Sequence, residues 1–460
     1  SLGTIKTNEN WEVEFMFWIE LLIVLAIIFV GVRLSGPFLA FAGGIGMLIM
    51  TFGLHVKPSD PPVTVILIMI AVICAAGMMQ SCGGLDYLVK IAEKILRKNP
   101  KMVTVLAPII AYIFTFMCGT GHIIYSLLPV INEISIETGV RPERPISASI
   151  ISSQQAITAC PISAATVSVL AFLAESQYTS VNIFTLLLVC VPATLIGTVA
   201  AAFSVLKKGK ELKDDPEFQR RVAAGEIEDL AKKTLEGNEK ETKFQATKEA
   251  KISVAIFLIA MVGIVLLGAV KSLVPVFADE TSLPLTSVIE IFMLVAAALM
   301  VLLTKTDSNK LLDQPVFRTG MFAVVLAFGL CWLVNTFIAD QSSFITDNMS
   351  ALTNQHPWIY IVAVFIVGAI TTSQSSTTMI MVPIGIALGL PVNIIVAGWI
   401  ACSSNYFIPA SGQCVAAIAF DSAGTTKIGK FVLNHSYMLP GLVCTVVSVV
   451  AAIALGAVIF

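Results

Sequence analysis

Four short polar stretches interrupt apolar sequence in this chain, and they hold the residues with any chemistry to offer. They are Cys118-Gly119-Thr120-Gly121-His122, Ser152-Ser153-Gln154-Gln155 with Thr158, Thr372-Ser373-Gln374-Ser375-Ser376-Thr377, and Cys402-Ser403-Ser404-Asn405. None contains Lys or Arg. The second and fourth each lead into an x-Pro-x-Ser pattern, Cys160–Ser163 and Ile408–Ser411. Hydroxyls and amides of this kind donate and accept hydrogen bonds. No Ser/His/Asp arrangement is present that would make one of them a nucleophile. The chemistry on offer is recognition without covalent change, so no enzyme is expected.

The elements around these stretches give them a purpose. Met102–Met117 and Ile123–Ile136 flank the first, and as helices they measure roughly 24 and 21 Å. A hydrocarbon core is about 30 Å thick, so neither run spans comfortably alone. A re-entrant hairpin, two half-helices meeting at depth, is the natural reading, with Gly119 and Gly121 freeing the turn. Trp358–Thr371 and Thr378–Leu390 repeat the device around Thr372–Thr377. The long apolar segment after each hairpin reads as two half-helices joined by unwound backbone. Pro161 and Pro409 are expected to open the second halves, since proline suits a first helical turn. Interrupted hydrophobic segments at matching places in two halves point to a transporter site.

This arrangement predicts the charge of the cargo. Four helix N-termini would converge near the midplane, each worth about +0.5 elementary charge. Their sum of about +2 offsets a dianion without buried Lys or Arg. A small dicarboxylate is therefore favoured over an amino-acid cation, a sugar or a lipid. The candidate ligands are Gly119, Thr120, Gly121, His122, Ser153, Gln154, Thr158, Pro161, Ser163, Ser373, Gln374, Ser375, Ser376, Ser404, Asn405, Pro409 and Ser411. His122 admits two roles, donor or proton carrier at the ligand and neutral cap of the second arm. Gly43-Gly44-Ile45-Gly46 lacks the residues of a phosphate loop and reads as close helix packing.

Composition sets the frame. The 460 residues are 57% hydrophobic and 13% charged, against about 25% charged in soluble domains. This is the make-up of an all-α polytopic membrane protein. A net charge of −2 argues against nucleic acid. The nine cysteines lie in or beside apolar segments, without metal spacing, and read as buried thiols; no cofactor or metal is expected. Asp86–Lys101 interleaves basic and aliphatic residues as an interfacial helix ended by Asn99-Pro100. Lys207–Lys251 reads as a solvated linker, and Glu290 as a scaffold carboxylate with a partner.

Placing the Asp86–Lys101 helix in the cytoplasm puts every Lys and Arg of the 28 except Lys6, Lys57 and Lys271 on that side. Both termini then fall outside, and the hairpins enter from opposite faces. The chain reads as two inverted repeats, each of five transmembrane segments plus one re-entrant hairpin. Their bounds are 16–206, with a hairpin at about 102–136, and 252–460, with a hairpin at about 358–390.

Several strings also carry a resemblance. They are Gly83-Gly84-Leu85-Asp86, Arg97-Lys98-Asn99-Pro100-Lys101, Cys118–His122, Arg141-Pro142-Glu143-Arg144-Pro145, Ser373-Gln374, Gly424–Phe431 and Asn434-His435. With these the chain resembles the Dcu family of anaerobic four-carbon dicarboxylate transporters, nearest its DcuA/DcuB branch, from about Met16 to Phe460. The resemblance implies exchange of fumarate, malate or aspartate for succinate across a bacterial inner membrane. It implies the wider ion-transporter fold of scaffold plus moving transport domain, a homodimer, and residues 1–15 as an extension. A sodium- or proton-coupled symporter is one alternative, and a co-sensor partnered with a membrane histidine kinase another. Where the resemblance would place Leu-Pro-Thr-Tyr-Pro, this chain reads Ile408-Pro409-Ala410-Ser411-Gly412.

Overall fold

The structure, a computed structural model, describes residues 2–34, 38–178, 181–225, 227, 247–278, 281–344, 355–409, 411–428 and 434–460. Residues 226 and 228–246 of the linker, Ala410, and Gly429-Lys430-Phe431 of the motifs above lie outside these residues. Among the described residues nine helices are long and apolar enough to cross a membrane, and the β pairing amounts to two isolated bridges, Val276 with Ser282 and Ile428 with His435. The polytopic, all-helical class follows from the composition. A backbone in lipid must satisfy its own hydrogen bonds, and helices do so within one segment.

The first half begins with α1 (Leu2–Leu34), α2 (Phe38–Leu48) and α3 (Val63–Ser81). One helix thus runs through residues 2–15 without a break. Next come α4 (Gly84–Lys98), α5 (Val103–Cys118) and α6 (Ile124–Glu137). α7 (Glu143–Ala156), α8 (Ala164–Ala174) and α9 (Ile183–Ser204) complete it. A short α10 (Pro216–Ala223) follows. The second half holds α11 (Lys248–Ala269), α12 (Leu285–Thr304), α13 (Pro315–Leu326) and α14 (Trp332–Asp340). Then come α15 (Trp358–Thr371), α16 (Gln374–Ala387), α17 (Val392–Ile400), α18 (Gly412–Phe420) and α19 (Met438–Ile459). The lengths recur: α5 and α6 have 16 and 14 residues, α15 and α16 have 14 each. With the 3₁₀ turn at Pro100–Met102 the first arm reaches 19 residues, longer than the apolar run suggested.

Local chemistry explains several of these elements. α4 buries Leu85, Leu88, Ala92 and Leu96 at helical spacing and exposes Lys90, Lys94 and Lys98. Asp86 in its first turn and Arg97-Lys98 in its last suit the helix dipole. Arg97 reaches Glu133 at 3.0 Å and Glu137 at 3.4 Å, tying α4 to α6. α9 starts with a capping box between Asn182 and Thr185.

Glycine lets α2 touch the π-helical turn at Ala327–Cys331: a Cβ on Gly43 would strike the carbonyl of Gly329, and one on Gly329 the carbonyl of Ala40. The glycine cluster of α2 is thus a packing surface. Helices α9 and α19 pack on each other and on α7, while α3 packs on α12 and α13. Glu290, half-buried on α12, makes no ion pair among the described residues, contrary to the expected scaffold partner.

The start of the linker corrects a reading. Asp215 is not solvated but buried, with Arg141 at 2.5 Å, and Arg141 also holds Glu143 at 2.7 Å. Lys208 lies 3.3 Å from Glu143, and Arg144 pairs with Glu211 at 3.0 Å. Paired charges of this kind are the form in which charge tolerates burial.

Candidate functional site

The two hairpin tips use one backbone device. α5 ends on Gly119, whose φ of +71° carries it into the left-handed region, and α15 ends on Thr372 at +53°. An extended residue follows in each case. Thr120 accepts from the N–H of His122 at 3.3 Å, and Ser373 accepts from the N–H of Ser376 at 3.3 Å. The next helix starts immediately, α6 through a 3₁₀ turn at Gly121–Ile123 and α16 at Gln374.

The broken helices also share a device, and here the structure corrects the sequence reading. α7 tightens into a 3₁₀ turn at Ile157–Ala159, and α17 into one at Ala401–Ser403. Neither Pro161 nor Pro409 opens the following half. Ser163 caps α8 by accepting from Thr166 N–H at 3.2 Å, and Ser411 caps α18 by accepting from Cys414 N–H at 3.4 Å. In x-Pro-x-Ser the serine supplies the acceptor that a helix start requires, so proline stays in the unwound segment two residues before it.

The 3₁₀ turn that leads into α6 and the first residues of α8, α16 and α18 line one cavity of about 370 Å³. Its polar wall is Gly119–His122, Thr372–Ser375, Asn405 and Ser411–Gln413, and α3 and α13 supply an apolar wall including Met69, Ile73, Val316 and Leu326. Among the described residues no Asp, Glu, Lys or Arg lines it. Helix starts present free N–H groups and partial positive charge. Here four of them face one uncharged space. His122 stacks on Tyr125 at 5.7 Å, and its ring makes no hydrogen bond among the described residues.

Of the expected ligands, Gly119, Thr120, Gly121, His122, Ser373, Gln374, Ser375, Asn405 and Ser411 line the cavity. The other candidates stand behind them. Ser153 donates to the carbonyl of Gly121 and lies 2.7 Å from Thr115 Oγ1, bracing the first tip. Gln154 donates to Ser411 Oγ at 3.4 Å, and its own carbonyl accepts from the Gln374 amide at 3.1 Å. Thr158 donates to the carbonyl of Gln155, and Ser404 to that of Phe365 at 2.6 Å. Ser163 serves as the α8 cap, and Pro161, Pro409 and Ser376 are buried away from the cavity. Gln154 Oε1, Ser376 Oγ and Asn405 Oδ1 are buried without a hydrogen-bond partner among the described residues. The sequence reading missed Gln413, the second residue of α18. Its signal was present: an amide one position past the start of a half-helix.

Comparison with known proteins follows the same line. The sequence profile described as "Anaerobic c4-dicarboxylate membrane transporter" matches residues 16–460. The chain is 38% identical over 445 residues to the anaerobic C4-dicarboxylate transporter DcuB of Escherichia coli O157:H7, covering 95% of this chain and 97% of that protein. It is 37% identical over 434 residues to the C4-dicarboxylate transporter DcuA of Wolinella succinogenes, covering 94% and 98%. Among solved structures, Neisseria gonorrhoeae MtrF, described with a class of antimetabolite efflux pumps, superposes with a TM-score of 0.56 at 13% identity, covering 96% and 94%. That likeness is one of fold. A multi-pass helical membrane protein with this match along nearly its whole length belongs to the DcuA/DcuB family of anaerobic C4-dicarboxylate membrane transporters.

Proposed function

We propose that this protein exchanges small dicarboxylates across a bacterial inner membrane by alternating access, taking in fumarate, malate or aspartate and releasing succinate. The observation that carries the reading is the convergence of four helix starts on one cavity that, among the described residues, no Asp, Glu, Lys or Arg lines. Those helix ends together supply about +2, enough for one dianion. A loaded site is then nearly neutral and crosses the low-dielectric barrier, whereas an empty one carries uncompensated partial charge. Recrossing empty is slow, and exchange is favoured over net flux. In this reading α5–α6 and α15–α16 are re-entrant hairpins entering from opposite faces, within two inverted repeats that place both termini outside. The substrate ligands are drawn from the cavity-lining residues, with Gln154 and Ser153 holding them in register. The family relatives named as C4-dicarboxylate transporters support the substrate class.

Counterflow in liposomes tests it. Preloading with succinate should strongly accelerate uptake of labelled fumarate, and preloading with butyrate, of matching length but one charge fewer, should not. Equal acceleration by the two acids would sink the electrostatic argument.

A further inference from the structure

Asn434-His435 and Arg141–Pro145 take no part in lining the cavity, yet the fold brings them together between α18 and α19. His435 is buried. Its Nδ1 accepts from the N–H of Tyr437 at 3.2 Å, and its Nε2 lies 3.2 Å from the carbonyl of Phe407. With Nδ1 occupied as acceptor, Nε2 carries the proton and donates. Phe407 sits two residues past Asn405, in the unwound segment of the second broken helix. The next two side chains hold neighbouring parts. Ser436 donates to Glu143 Oε1 at 2.8 Å, at the start of α7, and Tyr437 donates to the carbonyl of Cys414 at 2.7 Å, in the first turn of α18. Three consecutive residues thus grip both broken helices.

We propose that His435 is a positioning residue for the cavity, holding the Phe407 carbonyl so that Asn405 keeps its place on the wall, with Ser436 and Tyr437 as companion clamps. The inference rests on the cavity being the dicarboxylate site. The charged and titratable groups around the imidazole are Lys208, whose ammonium donates to the Ser436 carbonyl at 2.6 Å, Glu143 through Ser436, and the Tyr437 ring at 5.8 Å. Burial, and then the Lys208 charge, hold the imidazole below its ordinary value against the opposing pull of the Phe407 carbonyl. A second ring proton would face the Tyr437 N–H, so the acid form gives up that contact.

Three readouts on the full-length purified protein test this. His435→Ala should raise the succinate concentration for half-maximal thermal protection about tenfold, the scale of one buried hydrogen bond. His435→Gln, which keeps a donor for the Phe407 carbonyl, should recover most of it. As pH falls from about 7.5 through the lowered range of this imidazole, the wild-type value should rise more steeply than that of His435→Gln, the cargo's own titration being common to both. In a third arm, Asn405→Cys should be labelled by a small thiol reagent faster with His435→Ala than with His435→Gln or native His435. An unchanged half-maximal concentration in His435→Ala, parallel pH curves, or equal labelling rates would each overturn the positioning role. Absence of protection of the wild type by any dicarboxylate would instead count against the cavity reading, and the labelling arm would still decide on the clamp.

Discussion

The side-chain amide of Gln374 donates to the backbone carbonyl of Gln154 across 220 residues of sequence, at 3.1 Å. It joins the tip of the second hairpin to the first broken helix just before that helix tightens. The carbonyl, which also accepts from the N–H of Ile157, lies in the helix behind the cavity that Gln374 lines. One residue therefore serves both the frame and the wall.

Replacing Gln374 by Ala leaves the Gln154 carbonyl only its backbone partner, the N–H of Ile157, cuts the tie between hairpin tip and broken helix, and removes a donor from the cavity. Apparent affinity for succinate in counterflow should fall roughly tenfold or more, about 1–3 kcal/mol. Gln374→Glu separates the two roles, since it keeps the shape but replaces the donor by charge. A dianion should tolerate Glu less well than Ala. Equal affinities for the two variants would show that helix-end electrostatics do not govern the site.

Ser163 and Ser411 are equivalent caps with different surroundings. Alanine at either should cost about 1 kcal/mol of stability through the lost cap. Ser411 also lines the cavity and accepts from Gln154, whereas Ser163 does neither. Thermal melting should fall for both variants and affinity only for Ser411→Ala. A matching loss of affinity in Ser163→Ala would mean that the capped half-helices move as one unit.

Much of this site was legible because each polar interruption in apolar sequence is expensive and therefore informative. The tips at Gly119–His122 and Thr372–Ser375 were found that way. So was α4, whose alternation of Lys90, Lys94 and Lys98 with Leu88, Ala92 and Leu96 leaves little choice. The helix starts after Pro161 and Pro409 were misplaced because proline and serine both favour such a position, and only geometry shows the serine accepting. Asp215 looked solvated because its partner Arg141 lies 74 residues earlier. No local pattern reports a long-range ion pair.

That ion pair gives the start of the linker an acid limit. Burial pushes the Asp215 carboxyl up, but Arg141 and the N–H groups of Phe218 and Glu217 more than offset it, leaving it below its ordinary range. A depressed folded-state value means the stabilisation is complete above the unfolded carboxyl range of about 3.9 and is lost as pH falls through the lower folded value. Wild type and Asp215→Asn should therefore differ in melting temperature near neutral pH and converge in strong acid. Arg141→Ala leaves Asp215 and Glu143 competing for fewer cations and should cost about 3–5 kcal/mol, the range for breaking a buried pair. A wild-type melting curve parallel to that of Asp215→Asn down to strong acid would show the pair to be energetically silent.

The two hairpin tips differ at one residue in a way that separates backbone strain from binding. Gly119 and Thr372 both hold left-handed backbone after a helix end, at φ +71° and +53°. Glycine adopts this conformation freely, while a β-branched residue there costs about 1–2 kcal/mol. Thr372→Gly should therefore raise the melting temperature, less whatever the added freedom of the unfolded chain removes. Gly119→Thr should lower it, and more steeply, because a Cβ there also meets Ile162 at 3.2 Å. Gly121, two residues on, has no positive φ, and its added Cβ would lie 3.3 Å from Ile157 and 3.5 Å from the Gln413 amide. Gly121→Ala should leave stability nearly intact, narrow the cavity beside Gln413, and weaken succinate binding. If Gly121→Ala left affinity unchanged while Gly119→Thr abolished it at normal protein levels, the tip backbone rather than the cavity wall would be the binding element.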